Sequence, residues 1–367
     1  QDILFVNSRR WSWDTRPHTP AATMALYQND GLGHFRDVTS ETGFDVSFYG
    51  MGVAVGDYDN DGDPDVFLSA VGPNHLIRND HGRFVDVTEE AQVSGADHDW
   101  GTSCAWFDYN NDGQLDLFVC NYVAWSRERD TQQGFTLDGE TRAYGPPRAF
   151  GGAFCYLYEN EGQGRFVEVG ESAGIRITNP NTGEPLAKAL GVAPIDLDRD
   201  GRMDLVIAND TVQNLVFHNQ GQRFQEIGAE SGVAFDASGM ARGAMGIDTS
   251  DCRDNGSMAI AIGNFSNEMT ALYMSHNNRL LFDDAAIATG LGPATRLELT
   301  FGLFFFDYDL DGRLDLLCCN GHLEEEISKV QVSQKYRQPP QLFWNCGPNR
   351  ASEFVKTSAK ECGEDLF

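Results

Sequence analysis

Four short acidic segments concentrate the chemistry of this chain. They read Asp57-Tyr-Asp-Asn-Asp-Gly-Asp-Pro-Asp65, Asp108-Tyr-Asn-Asn-Asp-Gly-Gln-Leu-Asp116, Asp196-Leu-Asp-Arg-Asp-Gly-Arg-Met-Asp204 and Asp307-Tyr-Asp-Leu-Asp-Gly-Arg-Leu-Asp315. Each follows D-x-[DN]-x-D-G-x-x-D. Oxygen donors at alternate positions, with a glycine to allow the sharp turn, suit a calcium ion. Side-chain oxygens come from positions one, three and five: Asp57, Asp59 and Asp61; Asp108, Asn110 and Asp112; Asp196, Asp198 and Asp200; Asp307, Asp309 and Asp311. Position seven offers its backbone carbonyl, so its side chain varies freely as Asp63, Gln114, Arg202 and Arg313. Position nine adds a carboxylate: Asp65, Asp116, Asp204 and Asp315. Carboxylates this crowded repel one another unless a cation sits among them.

Acidic turns without metal are common between strands. Four copies with identical spacing and the same flanking residues favour calcium, with about four ions expected. An EF-hand would need a twelfth-position Glu between amphipathic helices. Here the ninth-position Asp opens an apolar strand, and that reading is rejected. A fifth, degenerate copy begins near Asp248. Aligning Met258-Ala-Ile-Ala-Ile262 with its counterparts puts Ala259 where the last carboxylate belongs, with about three extra residues before Gly256. The segment Asp248–Ala259 is expected to be empty or weak, its turn held by Asp248, Asp251 and Asp254.

The elements that position these loops repeat with them, most spacings being fifty to sixty residues. A small-residue strand precedes each loop, as in Gly52-Val-Ala-Val-Gly56 or Gly191-Val-Ala-Pro-Ile195. An apolar strand follows, as in Val66-Phe-Leu or Leu205-Val-Ile. A hairpin then closes the unit, as in Leu76 to Phe84 and Leu157 to Phe166, with Asn and Gly at its tip to supply positive φ. Four short antiparallel strands per unit predict an all-β chain, a β-propeller of four-stranded blades.

Gln1-Asp2-Ile-Leu-Phe-Val-Asn7 aligns with the strand ending at Asn121, which makes Asp2 a ninth-position ligand. Both ends of the chain read as cut within blades. Counting a loop before Gln1 and another after Phe367, seven blades are expected, six and eight being the alternatives. Residues 1–367 form one repeat domain on this reading. The loops at Asp108 and Asp196 stand 88 residues apart, which implies an insertion at about 122–154 between the second and third strands of one blade.

The formal charge of −28 argues against nucleic acid or an anionic membrane as partner, and four calcium ions would lower it only to about −20. No run of eighteen apolar residues is present, so no membrane span is expected. Eight cysteines with no C-x-x-C give neither a zinc site nor a disulfide scaffold. Cys318 and Cys319 read as core residues, and Cys346 with Cys362 as a candidate pair.

Asn7, Asn121, Asn209, Asn264 and Asn320 each lie five residues after a ninth position. Five strand residues span roughly 16 Å, which puts these asparagines at the opposite end of the blade from the acidic loops. They read as turn-forming side chains, or as a polar ring lining a ligand face with Trp125, His322 and Glu324. His322 with Glu324, Glu325 and Glu326 reads as a solvated acidic edge, because no second His stands at ligand spacing. No G-x-S-x-G, H-E-x-x-H, P-loop or dinucleotide fingerprint is found, so no catalytic residue is assigned and no enzyme is expected.

These loops, with Tyr144-Gly-Pro-Pro-Arg-Ala-Phe150, Ala208-Asn-Asp-Thr-Val-Gln-Asn214, Gly263-Asn-Phe-Ser-Asn-Glu268 and Asn320-Gly-His322, resemble the FG-GAP/VCBS repeat family, also seen in integrin alpha subunits. More closely, they are similar to bacterial propeller proteins of the cartilage acidic protein type that join such repeats to an ASPIC/UnbV module. The resemblance implies a secreted seven-bladed propeller with calcium in the loops between first and second strands. Ala259 departs from that pattern, and the ASPIC/UnbV module is absent from this sequence.

The reading that follows is a calcium-binding scaffold for adhesion, interaction or assembly, secreted, periplasmic or at a cell surface. Its partner would be a protein or a glycan on the face opposite the calcium loops. Two alternatives stand beside it. One is a polysaccharide-binding or carbohydrate-active enzyme subunit using that same face. The other is an accessory subunit of a larger secreted or membrane-associated complex, docked through the insertion.

Overall fold

The computed structural model describes residues 1–11, 13–14, 23–276, 280–348 and 350–358. They form six antiparallel sheets, one of three strands and five of four. The first contains Ile3–Phe5, Ala25–Asn29 and Phe35–Asp37; the second Gly50–Gly56, Asp65–Ala70, His75–Asp80 and Arg83–Asp86. The third contains Gly101–Phe107, Asp116–Asn121, Tyr156–Asn160 and Phe166–Glu168; the fourth Ala189–Ile195, Asp204–Asn209, Leu215–Asn219 and Phe224–Glu226. The fifth contains Ala244–Ser250, Ala259–Asn264, Ala271–Ser275 and Phe282–Asp284; the sixth Thr300–Phe306, Asp315–Asn320, Gln341–Asn345 and Phe354–Lys356.

The fold is therefore an all-β propeller type with four-stranded blades, but six blades rather than the expected seven are found among the described residues. The count of seven had added a unit beyond the sequence itself. By contacts the chain divides into two compact units, residues 1–125 with 152–185 and residues 126–151 with 186–367. Three blades belong to each.

The second strand of each blade explains the apolar runs. Asp65–Ala70, Asp116–Asn121, Asp204–Asn209 and Ala259–Asn264 are buried at every position. A strand covered on both faces needs no alternation, so Val-Phe-Leu and Ile-Ala-Ile follow without polar interruption. First strands are small for a different reason. A Cβ on Gly52 would lie 2.1 Å from the Thr102 carbonyl oxygen, and one on Gly246 would lie 2.2 Å from that of Phe301. Neighbouring first strands approach backbone to backbone, and each carries a register shift near its start.

The fourth strands end in a feature that sequence periodicity missed. Asp37 Oδ1 accepts the Thr39 amide at 3.0 Å, Asp86 Oδ1 that of Thr88 at 3.0 Å, and Glu226 Oε1 that of Gly228 at 2.7 Å. One helical turn follows in each case, over Thr39–Thr42, Thr88–Ala91 and Gly228–Ser231. Part of the acidic composition thus caps turns.

Between Asp116–Asn121 and Tyr156–Asn160 lies a long connection with a helix at Arg127–Gln133 capped by Ser126. Cys318 is buried, but Cys319 is exposed, which corrects its assignment to the core. Cys362 lies outside the described residues.

Candidate metal centres

Each acidic loop is a compact cage of its own hydrogen bonds. In the second blade the Asp57 carboxylate accepts the amides of Asp61 and Gly62 at 3.0 and 2.9 Å, and Asp61 accepts that of Asp63 at 2.9 Å. The same three bonds recur around Asp108 and Asp112, around Asp196 and Asp200, and around Asp307 and Asp311. Position four takes a positive φ in every copy, at Asn60, Asn111, Arg199 and Leu310, as does the glycine two residues later.

The ninth-position carboxylates do a second job. Asp65, Asp116, Asp204 and Asp315 are buried, and each accepts one amide from its own loop and one from the end of the third strand. For Asp65 the donors are Tyr58 at 3.2 Å and Asn79 at 2.8 Å; for Asp116 they are Tyr109 at 3.0 Å and Asn160 at 2.8 Å. Leu197 and Asn219 serve Asp204, and Tyr308 and Asn345 serve Asp315. Burial outweighs these donors and pushes Asp65 and Asp116 up to about 7 and Asp204 to about 6. Asp315 rises for the same reason.

The donor sets suit a hard cation. Ligand oxygens of Asp57, Asp59 and Asp61 lie within 4.8 Å of one another, as do those of Asp307, Asp309 and Asp311 and of Asp196, Asp198 and Asp204. Asp59 is raised by burial and then by repulsion from Asp61 and Asp57, a strain that a divalent ion would relieve. In the third blade, Asn110 replaces a carboxylate and donates to Asp112 Oδ2 at 3.1 Å. In the fourth and sixth blades, Arg202 and Arg313 pair with Asp200 and Asp311. His218 joins the fourth cluster through Asp198 Oδ2 at 3.1 Å. The residues present fit calcium through positions one, three and five in the second and sixth blades, and through positions one, three and nine in the fourth.

The degenerate loop keeps the shape and loses the donors. Asp251, not Asp248, occupies position one: its carboxylate accepts the amides of Asn255 and Gly256 at 3.1 and 2.6 Å. Asp254 and Gly256 take the positive φ values of positions four and six. No residues are inserted, contrary to the alignment from Asp248. That residue belongs to the first strand, opposite Ala261, and its carboxylate accepts the Phe305 amide at 2.7 Å. Position three is Arg253, whose guanidinium makes a bidentate pair with buried Glu353 at 2.8 and 2.7 Å. Arg199 of the preceding loop approaches Asp251 at 3.8 Å and donates to the Gly256 carbonyl at 3.0 Å. Position three thus carries a guanidinium and position five the amide Asn255, where Asp198 and Asp200 stand in the preceding loop.

The hairpin asparagines were also misjudged. Positive φ at the tips falls on Gly31, Gly82, Gly162, Gly221 and Gly347, not on the asparagines. Asn160 Nδ2 instead donates to the Leu115 carbonyl at position eight of its own loop, and Asn79 and Asn219 reach Pro64 and Met203 likewise. Their signal in the sequence was an Asn at one fixed place in five of the six hairpins, with Ser275 there in the fifth blade.

At the other blade ends, the recurrent asparagines are spent on backbone. Asn121 donates to Phe154 O at 2.9 Å, Asn209 to Gln213 O at 3.0 Å, Asn264 to Met269 O at 2.6 Å and Asn320 to Pro339 O at 2.9 Å. His322 is buried against Phe265 and accepts the Glu324 amide, so it is not part of a solvated edge. Burial lowers its pKa. In the first unit this end carries stacked rings. Trp11 lies 4.7 Å from Trp13, 4.1 Å from Tyr49 and 5.5 Å from Trp125, and Trp100 meets Trp125 and Tyr122 edge-on at 5.5 Å.

A family model for the FG-GAP-like repeat matches residues 1–68 and 66–119. Mouse cartilage acidic protein 1 is 35% identical over 94 residues, 25% of this chain and 14% of that protein. The Xenopus tropicalis protein of the same name is 26% identical over 205 residues, 49% of this chain and 32% of its own length. The matches thus span a third or less of those relatives. Among solved structures, an ancestral GH74 enzyme aligns at TM-score 0.45 and 13% identity, over 91% of this chain and 36% of its own. A GH43 β-1,3-galactosidase aligns at TM-score 0.38 and 9% identity, over 82% of this chain and 92% of its own. The chain carries FG-GAP-like repeats and is homologous to cartilage acidic protein 1.

Proposed function

We propose that this protein is a non-enzymatic interaction scaffold that works outside the cytoplasm, its blades stiffened by calcium in four loops. The observation that carries the reading is the repetition of one loop geometry. Four loops share the same amide contacts, the same left-handed fourth residue and the same oxygen positions, and three bring carboxylates into one cluster. Calcium at millimolar concentration, as outside cells, would fill even weak sites of this type. Binding to the folded state alone stabilises it, by about 2.7 kcal/mol per site when calcium exceeds the dissociation constant a hundredfold. Elemental analysis of the dialysed protein should therefore find four calcium ions per chain, and excess EGTA should lower the melting temperature. A melting curve unmoved by EGTA overturns the reading.

A second reading places a saccharide on the opposite face. Its support is the ring cluster of Trp11, Trp13, Tyr49, Trp100, Tyr122 and Trp125, because flat apolar rings with polar edges are suited to sugar faces. A glycan array probed with the native chain and with Trp13→Ala tests it. Equal signals from the two proteins would remove it.

A further inference from the structure

The long insertion leaves and rejoins its blade at two cysteines. The pairing of the second and third strands of the third blade sets Tyr156 opposite Val119 and Leu157 opposite Phe118. The same register continues beyond the strand: Asn121 Nδ2 donates to Phe154 O, and Val123 bridges Gly152. Cys120 and Cys155 are therefore directly opposed neighbours in an antiparallel pair, at the root of the insertion. Both are buried, and each thiol shifts the titration of the other, Cys120 upward and Cys155 downward.

We propose that Cys120 and Cys155 form a cross-strand disulfide that closes the base of the insertion. Directly opposed residues in antiparallel strands have Cα atoms about 4.5–5.5 Å apart. That lies within the ~4.4–6.8 Å that a disulfide spans. Side chains of directly opposed residues project to the same face of the sheet, so the bond needs no rearrangement of the strands. The remaining cysteines offer weaker geometry. Cys104 pairs with Val119 across the first strand and is set one place off Cys120. Cys346 turns its sulfur to the carbonyls of Ser352 and Glu353 at 3.0 and 3.3 Å.

The chemistry balances with a small disulfide such as oxidised glutathione as oxidant. Cys155 is the better nucleophile, because the neighbouring Cys120 thiol holds its pKa below the usual thiol range and favours the thiolate. The Cys155 thiolate attacks one sulfur of the oxidant, forms a mixed disulfide and releases one glutathione thiolate. Cys120 then loses its proton to solvent and attacks the Cys155 sulfur, expelling the second thiolate. Two thiols have lost two electrons and two protons, and one glutathione disulfide has become two glutathiones. Because both residues are buried in the folded chain, the exchange belongs to folding, before their burial is complete. The inference does not use the acidic loops, but an oxidising compartment, as in the proposed function, is where such a bond persists.

The test is thiol mapping of the full chain folded in a glutathione redox buffer. Denaturation with N-ethylmaleimide and without reductant, then digestion and mass spectrometry, should yield one species joining the Cys120 and Cys155 peptides. It should be two hydrogen atoms lighter than their sum. Maleimide on both cysteines, or a bridge from Cys104 to either, overturns the proposal. A second measurement follows the melting temperature with and without dithiothreitol, in calcium and again in EGTA. Reduction should lower it by several degrees in both, and Cys120→Ala/Cys155→Ala should melt at one temperature regardless of reductant. A native chain indifferent to dithiothreitol also overturns it. Because the calcium reading is judged by the response to EGTA, either idea fails without the other.

Discussion

Asn160 joins two acidic loops: its amide donates to the Asp116 carboxylate at 2.8 Å, and its side chain donates to the Tyr58 carbonyl at 2.8 Å. Tyr58 is the second residue of the preceding blade's loop. Asn345 repeats the relationship, with Asp315 at 2.7 Å and the Cys252 carbonyl at 2.7 Å. Two pairs of neighbouring loops, one pair in each unit, are thus fastened through the ends of third strands. Because these bonds are buried, shifting one loop would leave polar groups of the next without partners. This gives the candidate metal sites a scaffold that does not depend on carboxylates at positions three and five, as the degenerate loop around Asp251 shows by keeping its shape.

That independence separates two aspartates of one loop. Asp59→Ala should remove one bound calcium and lower the melting temperature in calcium, yet leave the stability in EGTA unchanged. Asp65→Ala should cost about 2–3 kcal/mol even in EGTA, because it strands the Tyr58 and Asn79 amides in a buried place. Urea unfolding in both buffers checks the contrast.

Arg253 and Glu353 are predicted to matter for stability and not for metal. Removing the guanidinium in Arg253→Ala leaves a buried carboxylate without its bidentate partner, at a cost of about 1.5–3 kcal/mol. The calcium count by elemental analysis should stay at the native value. A gain of one ion would mean that Arg253 alone keeps the fifth loop empty.

Acid stability has a local contributor at Asp86. Burial alone would raise this carboxyl, but His75, the Thr88 hydroxyl and the Thr88 amide together hold it at about 2. An unfolded Asp titrates near 3.9. A depressed folded value means that the contribution is complete above about 4 and is lost as pH falls through about 2. Asp86→Asn should lower the denaturation midpoint at pH 7 and flatten the loss of stability across that acid window. Parallel pH profiles for mutant and native chains would contradict the assignment.

Close approach of first strands makes their glycines intolerant. Gly246→Ala would set a Cβ 2.2 Å from the Phe301 carbonyl oxygen, which is backbone and has no side-chain freedom to yield. A cost of about 1–3 kcal/mol is expected, typical of overpacking. The urea midpoint reads it directly. Gly312→Ala is the control for a different effect, since its Cβ meets nothing and only the φ of 87° is strained.

The sequence by itself determined the repeat, the all-β class and the loop register, because ligand spacing and strand burial are local and recur. Asp57 to Asp65 and its three copies each carry their donors within nine residues, so no long-range information was needed. Tertiary structure decided what depended on partners distant in the chain. Asp251 rather than Asp248 heads the fifth loop because strand pairing, not similarity of residues, sets the register: Ser250 faces Ala259. Arg253 finds Glu353 one hundred residues away, and Asn160 finds Tyr58 across 102. Six blades rather than seven, and the meeting of Cys120 with Cys155 across the insertion, follow from pairing of the same kind. A pattern along the chain names which side chains could bind a cation, whereas hydrogen bonds between strands decide which of them are held in place to do so.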